Sequence, residues 1–353
     1  MGPFLSGGFG NPSSTHTEGR RAKSALEAAR KRVANSLGSG SSEVVFTSGG
    51  SESNNLAIRG LVEACGGGHV ITSAVEHPAV LEVVLALEIE GRIALTIVGV
   101  DRFGRVDPGA VAAALRDDTV LVSLMLANNE VGTLQPVREV SALCRDRGVA
   151  IHTDAAQAVG KVPVDVSDLG VDLLSVAGHK LYAPKGVGAL YVREGVEIMP
   201  QIRGAGHEQG RRAGTENVLL AVGLGMACEL AQDEVVGQQM RLADLRERLA
   251  VGLRTGCGDL VEHGHPNDRL PNTLSVALPG RDANGLVENL AEELAVSAGS
   301  ACHSGATMIS YVLQAMGVGS DLARATVRFS VGRFTTEEEI DQATELTLDA
   351  TRS

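Results

Sequence analysis

Short, almost unbroken apolar runs alternate with segments of helical spacing, and this alternation limits the fold more than any other feature of the chain. The runs fall at 44–47, 69–73, 93–98, 120–125, 149–154, 172–177 and 187–192. Helical spacing occupies 18–37, 79–90, 108–115 and 137–147, and it resumes from Leu56 after the first run. Strands apolar on successive residues have both faces covered, which predicts an α/β fold on a mainly parallel sheet with helices on each side. In such a sheet, ligands bind beyond the strand ends. The punctuation agrees: Gly38 and Gly148 follow the last periodic residues of two helices, and Asp107-Pro108 opens a third.

A chain of 353 residues, 44% hydrophobic, has room for a large core and a second, smaller one. A long helical stretch from about Glu216 to Leu253 reads as the bridge between them. The expected division is an N-terminal segment over 1–15, a large domain over 16–230 and a small C-terminal domain over 231–353. Net charge −12, with Lys and Arg dispersed, argues against direct nucleic-acid binding. No apolar segment has membrane-spanning length without a charge, and the opening residues lack a basic start and an apolar signal core, so a cytoplasmic protein is expected. Cysteines 65, 144, 228, 257 and 302 are odd in number and form no C-x-x-C pair, so neither a disulfide framework nor a metal site is indicated. His263 and His265 read as parts of a surface loop.

The polar motifs sit where the apolar runs end. Asp172 to Ala177 breaks at Gly178, presents His179 and Lys180, and resumes after Pro184 and Gly186, which reads as strand, turn, strand. A lysine there is ordinarily a solvated loop residue, but a rigid strand end also suits a carbonyl-trapping amine. The run ending His152-Thr-Asp154-Ala-Ala-Gln157 offers the acidic partner that the ring nitrogen of pyridoxal phosphate requires. Ser48-Gly49-Gly50-Ser51, at a strand-to-helix junction, is either a tight turn or an anion cradle of free N–H groups. His77 and Asn128-Asn129-Glu130 close two further runs, each a capping residue or a site residue. Arg203 to Thr215 reads as a flexible cationic loop, solvated or reaching a ligand or a neighbouring subunit. In the C-terminal part, Cys302 lies among Gly, Ser and Ala, where a thiol is accessible, and Arg328 stands on a strand in a position suited to a carboxylate.

From Phe9-Gly-Asn-Pro-Ser-Ser14 to Gly332-Arg-Phe-Thr-Thr-Glu337, these motifs in this order resemble the cysteine desulfurases, pyridoxal-phosphate enzymes of aminotransferase class V, with the selenocysteine lyases alongside. The resemblance implies a fold-type I transferase, with a seven-stranded, mainly parallel sheet in the large domain and a smaller C-terminal α+β domain. It implies that Lys180 forms the internal aldimine, Asp154 pairs with the ring nitrogen, His77 stacks on the ring and Gln157 faces the ring oxygen. Gly50, Ser51 and His179 would hold the phosphate, with Thr215 reaching across from the partner subunit of a homodimer. Asn129 and Arg328 match positions that contact the substrate carboxylate, and Cys302 matches the nucleophile that takes sulfur from L-cysteine. The sulfur would pass to acceptor proteins such as an iron–sulfur scaffold, or to tRNA thiolation.

Three departures accompany the match. The family pattern opens with a strand and an Asn-Ala-Ala-Thr-Thr turn that this chain begins after. A serine three residues before the lysine is here Ala177, for which Ser175, on the same face by alternation, is the candidate substitute. Ser51 stands for the usual threonine and keeps the hydroxyl. Cys302-His303-Ser304 suits selenocysteine lyase as the alternative enzyme, and the missing turn motivates a non-catalytic scaffold as the alternative of another class.

Overall fold

The computed structural model describes residues 1–303 and 306–352; at 300–303 and 306–308 it describes the backbone pairing alone. The chain forms two compact units. The first comprises Met1–Val98, Pro108–Leu126 and Pro136–Val235; the second comprises Gly99–Asp107, Ala127–Gln135 and Val236–Ser353. The last boundary falls inside the helix Val218–Cys257.

The first unit is built on seven strands: β1 (Val44–Thr47), β2 (Gly68–Ser73), β3 (Ile93–Val98), β4 (Thr119–Ser123), β5 (Ala150–Asp154), β6 (Leu173–Ala177) and β7 (Gly188–Val192). Their order is β1-β7-β6-β5-β4-β2-β3. All neighbours pair parallel except β7, which runs antiparallel to both β1 and β6. β1, β6 and β7 are buried at every residue and β5 at every residue after Ala150, as expected for strands covered on both faces. Helices Thr17–Leu37, Gly50–Cys65, Pro78–Ile89, Pro108–Ala114 and Val137–Arg147 occupy the segments where helical spacing is read. Gly38 and Gly148 close two of them in the left-handed region, at φ +71° and +67°. Leu56, Ile58 and Leu61 of the helix Gly50–Cys65 pack with Val70, Leu121 and Leu190 of the sheet. Each such side chain contributes roughly 1.5–3 kcal/mol by burial.

Because β7 reverses direction between its neighbours, the C-terminal ends of β1 and β6 lie at one edge, with Thr47 and Ala177 both opposite Gly188. β5, the parallel neighbour of β6, ends there too, as do β4, β2 and β3, which run the same way. The ends of β1, β2, β5 and β6 here lead into Ser51, His77, Gln157 and Lys180.

The second unit has a four-stranded antiparallel sheet in the order β10-β13-β9-β8. These strands are β8 (Val261–His263), β9 (Thr273–Ala277), β10 (Ser297–Ala298) and β13 (Thr326–Ser330). A separate pair, β11 (Ser300–His303) and β12 (Ala306–Ile309), sets Cys302 opposite Thr307. Leu242, Leu245, Leu249 and Leu253 recur at helical spacing and pack on Leu274 and Phe329. The unit is therefore α+β. Among the described residues, no helix is long and apolar enough to cross a membrane.

Candidate active site

Asp154 is the last residue of β5 and is 6% exposed. Its Oδ2 accepts from Asn54 Nδ2 at 2.7 Å and its Oδ1 from the Ala156 N–H at 2.9 Å. Two donors hold the carboxylate in one orientation, as a partner for a ring N–H would need to be held. Asn54 lies a hundred residues away in the chain, and sequence reading passed over it. Its own Oδ1 is buried and has no hydrogen-bond partner among the described residues.

The Gly49–Ser51 junction offers the donors that an anion cradle would need. The helix Gly50–Cys65 starts there with no side-chain cap, leaving its first N–H groups and the positive end of its dipole for an anion. The Ser51 side chain is exposed. Thr47 Oγ1 pairs with Ser53 Oγ at 2.8 Å, and Ser53 donates to the Ala189 carbonyl at 3.0 Å, which ties the first helical turn to β7. Gly188 permits this approach: a Cβ there would lie 2.7 Å from Gly49 Cα and 2.5 Å from the Val176 oxygen. A Cβ on Gly50 would come within 3.1 Å of the Ala177 methyl. Small residues on both sides keep the cradle open.

His179 and Lys180 lie in the 3-10 turn Gly178–Leu181 after β6, and both are exposed. Tyr182, at φ +65°, closes the turn in a conformation that side chains other than glycine rarely adopt. The His179 pKa is pushed below the usual histidine value by desolvation and then by the charges of Lys180, Lys185 and Lys161. His77 caps the helix Pro78–Ile89, its Nδ1 accepting from the Ala79 N–H at 3.1 Å. A backbone N–H can only donate, so the proton of the neutral ring sits on Nε2. Desolvation and the Lys180 charge outweigh the pull of Asp154 and keep that ring neutral more readily.

Glu76, fully buried beneath this edge, accepts from Ser73 Oγ at 2.7 Å and from the Met125 N–H at 2.9 Å. Burial pushes its carboxyl up to about 8. Ser175 does not serve the cradle. Its hydroxyl pairs with His152 Nε2 at 3.0 Å, and His152 Nδ1 pairs with Ser123 Oγ at 2.8 Å, a buried row across three strands. Burial holds the His152 pKa down to about 3, so this row is neutral.

The loop 203–215 is tied down rather than flexible. Glu208, 6% exposed, takes Arg30 through both oxygens at 2.6 and 2.9 Å, and one oxygen also accepts from the Phe46 N–H at 2.8 Å. Arg212 pairs with Glu52 at 2.8 Å. Thr215 is exposed, and its hydroxyl bonds to no described residue.

In the second unit, Asn129 and Arg328 meet: Arg328 Nη1 donates to the Asn129 carbonyl at 2.8 Å, and Nη2 donates to Ser297 Oγ at 3.2 Å. Asn129 Oδ1 and Arg328 Nε are buried and have no partner among the described residues. Beside them Ser310 Oγ donates to Glu130, whose carboxyl is pushed above the usual range by burial. The thiol of Cys302 lies outside the described residues.

Residues 1–343 match the family described as aminotransferase class-V. The chain belongs to this family. A cysteine desulfurase IscS of Dictyoglomus turgidum is 45% identical over 344 residues, covering 97% of this chain and 87% of that one. The cysteine desulfurase of Mus musculus is 43% identical, covering 98% of this chain and 76% of that one. Among solved structures, a NifS-like protein superimposes with TM-score 0.93 at 36% identity, covering 99% of this chain and 93% of that one. SspA in complex with cysteine gives TM-score 0.83 at 36% identity, covering 95% and 94%. The fold is that of the fold-type I transferases, and the cofactor of the family is pyridoxal 5′-phosphate. The residues present fit that group: an uncapped helix start for its phosphate, a doubly held carboxylate for its ring nitrogen and a lysine in the turn after β6.

Proposed function

We propose that this chain is a pyridoxal-phosphate-dependent cysteine desulfurase that converts L-cysteine to L-alanine and takes the sulfur as a persulfide on Cys302. The observation that carries the reading is Asp154, fixed by Asn54 and Ala156 at the end of β5, with Lys180 in the turn after the adjacent β6. When bound, the cofactor supplies an electron sink for the electrons released at the substrate α-carbon. Asp154 holds the ring nitrogen protonated. The N–H groups at Gly50 and Ser51, the Ser51 hydroxyl and His179 would hold the phosphate, His77 would cover the ring and Gln157 would face the ring oxygen. Lys180 would hold the cofactor covalently, and its amine would move the substrate's α-proton. Arg328 and Asn129 orient the substrate carboxylate. The thiolate of Cys302 attacks the substrate sulfur; an S–S bond forms as the C–S bond breaks.

The exposure of Thr215 supports its service to the partner subunit of a homodimer. The sulfur then passes, in the cytoplasm, to acceptors such as an iron–sulfur scaffold or the tRNA-thiolation machinery. The relatives above carry the desulfurase name, and the selenocysteine-lyase and scaffold alternatives gain no support from them.

Two variants test the reading. Lys180→Ala should lose the visible absorbance of the lysine-bound cofactor. Cys302→Ser should keep that absorbance yet form no persulfide on its peptide and release no sulfide, because a serine hydroxyl stays protonated where a thiol offers a few per cent of thiolate. Sulfide release by Cys302→Ser would sink the assignment of the sulfur carrier.

A further inference from the structure

Lys161 has no role in the set above. It follows β5, four residues after Gln157, and its Nζ donates to the Gln157 carbonyl at 2.9 Å and to Gln157 Oε1 at 2.9 Å. No described group accepts from Gln157 Nε2. Which way a glutamine amide points is decided by what surrounds it, and an ammonium has only N–H to offer. The amide oxygen therefore faces Lys161 and the NH2 edge faces away. Burial, with the charge of Lys180 adding to it, pushes the Lys161 ammonium down to about 7. The neutral amine still carries two N–H groups for the two oxygens, so the arrangement survives loss of the proton.

We propose that Lys161 is a positioning residue that fixes the Gln157 amide so that its NH2 edge, and not its oxygen, is offered to the ring oxygen of the cofactor. The inference rests on the reading of Gln157 as the residue facing that oxygen. A flipped amide would set one acceptor against another, a repulsion in place of a hydrogen bond. A donor on the ring oxygen stabilises its negative charge and lowers the pH at which the lysine-bound cofactor gives up its proton.

The test is the pH titration of the visible absorbance of the full-length, cofactor-loaded protein. Lys161→Met should keep the band but raise its apparent pKa by about 1 unit, as should Gln157→Leu. Removal of a nearby cation would also raise it, without any involvement of Gln157, and the double variant separates the two causes. If Lys161 acts through Gln157, adding Lys161→Met to Gln157→Leu should move the apparent pKa less than half as far as it does alone. A shift of half or more in that background, or no shift in the single variant, overturns the proposal. Lys161→Gln is titrated alongside with the same criteria, so that a methionine variant that fails to fold does not end the test. Failure of the underlying reading shows elsewhere: Lys180→Ala would then keep the visible band.

Discussion

Asp154 at the sheet edge of the first unit is held at both oxygens, whereas the Asn129–Arg328 pair of the second is held only in part. Both oxygens of Asp154 are engaged by neighbours, and the first turn of the helix Gly50–Cys65 is laced to β7 through Thr47 and Ser53. Among the described residues, the buried Nε of Arg328 and Oδ1 of Asn129 have no partner, and neither has the buried Oδ1 of Asn54 beside Asp154. Buried polar groups are nearly always paired, so each unpartnered atom marks bonding capacity that a ligand could take up. A resident cofactor rewards groups held in place beforehand. A substrate that comes and goes needs hydrogen-bonding capacity left in reserve.

That contrast breaks most sharply at Asp154. Asp154→Asn should retain the cofactor but lower desulfuration by at least about 100-fold, because a neutral amide cannot keep the ring nitrogen protonated and the proton transfer loses its driving force. Absorbance measured beside turnover checks it, and full turnover would refute the role. In the second unit, Arg328→Lys should leave the absorbance alone and raise KM for L-cysteine about tenfold, since a point charge replaces a planar fork and about 1.5 kcal/mol of charged hydrogen bonding goes with it. An altered spectrum with unchanged KM would erase the division between the two regions.

The smallest effect concerns the support beneath the first region. The Glu76 carboxyl titrates at about 8 when folded, against 4.5 for the ordinary group, so folding takes up a proton between those values and stability falls as pH rises through that window. Glu76→Gln keeps an acceptor for the Met125 N–H and removes the titration. Its melting temperature should therefore drop less between pH 5 and pH 8 than that of the wild type; an equal drop would show that Glu76 is already ionised.

The fold class, the seven strands and the turn bearing Lys180 were legible because each rests on a local period or a local break: continuous apolar runs, glycine stops and a proline-flanked turn. The likeness of motif order led to Asp154, Ser51 and Arg328 in the same way, one stretch at a time. What the sequence could not show is which stretches meet. Asn54 reaches Asp154 across a hundred residues, and Gly49 passes over Gly188 only because β1 and β7 pair. The segments Gly99–Asp107 and Ala127–Gln135 group with a unit whose bulk begins at Val236. Ser175 shares its face with Ala177, yet its hydroxyl goes to His152, a choice set by the neighbouring strand rather than by alternation. Glu208 looked like one charge in a solvated loop until Arg30 and the Phe46 N–H closed around it. Side-chain periodicity is a property of one segment and is written in its residues; partners arise from strand order and long-range packing, which only the folded chain decides.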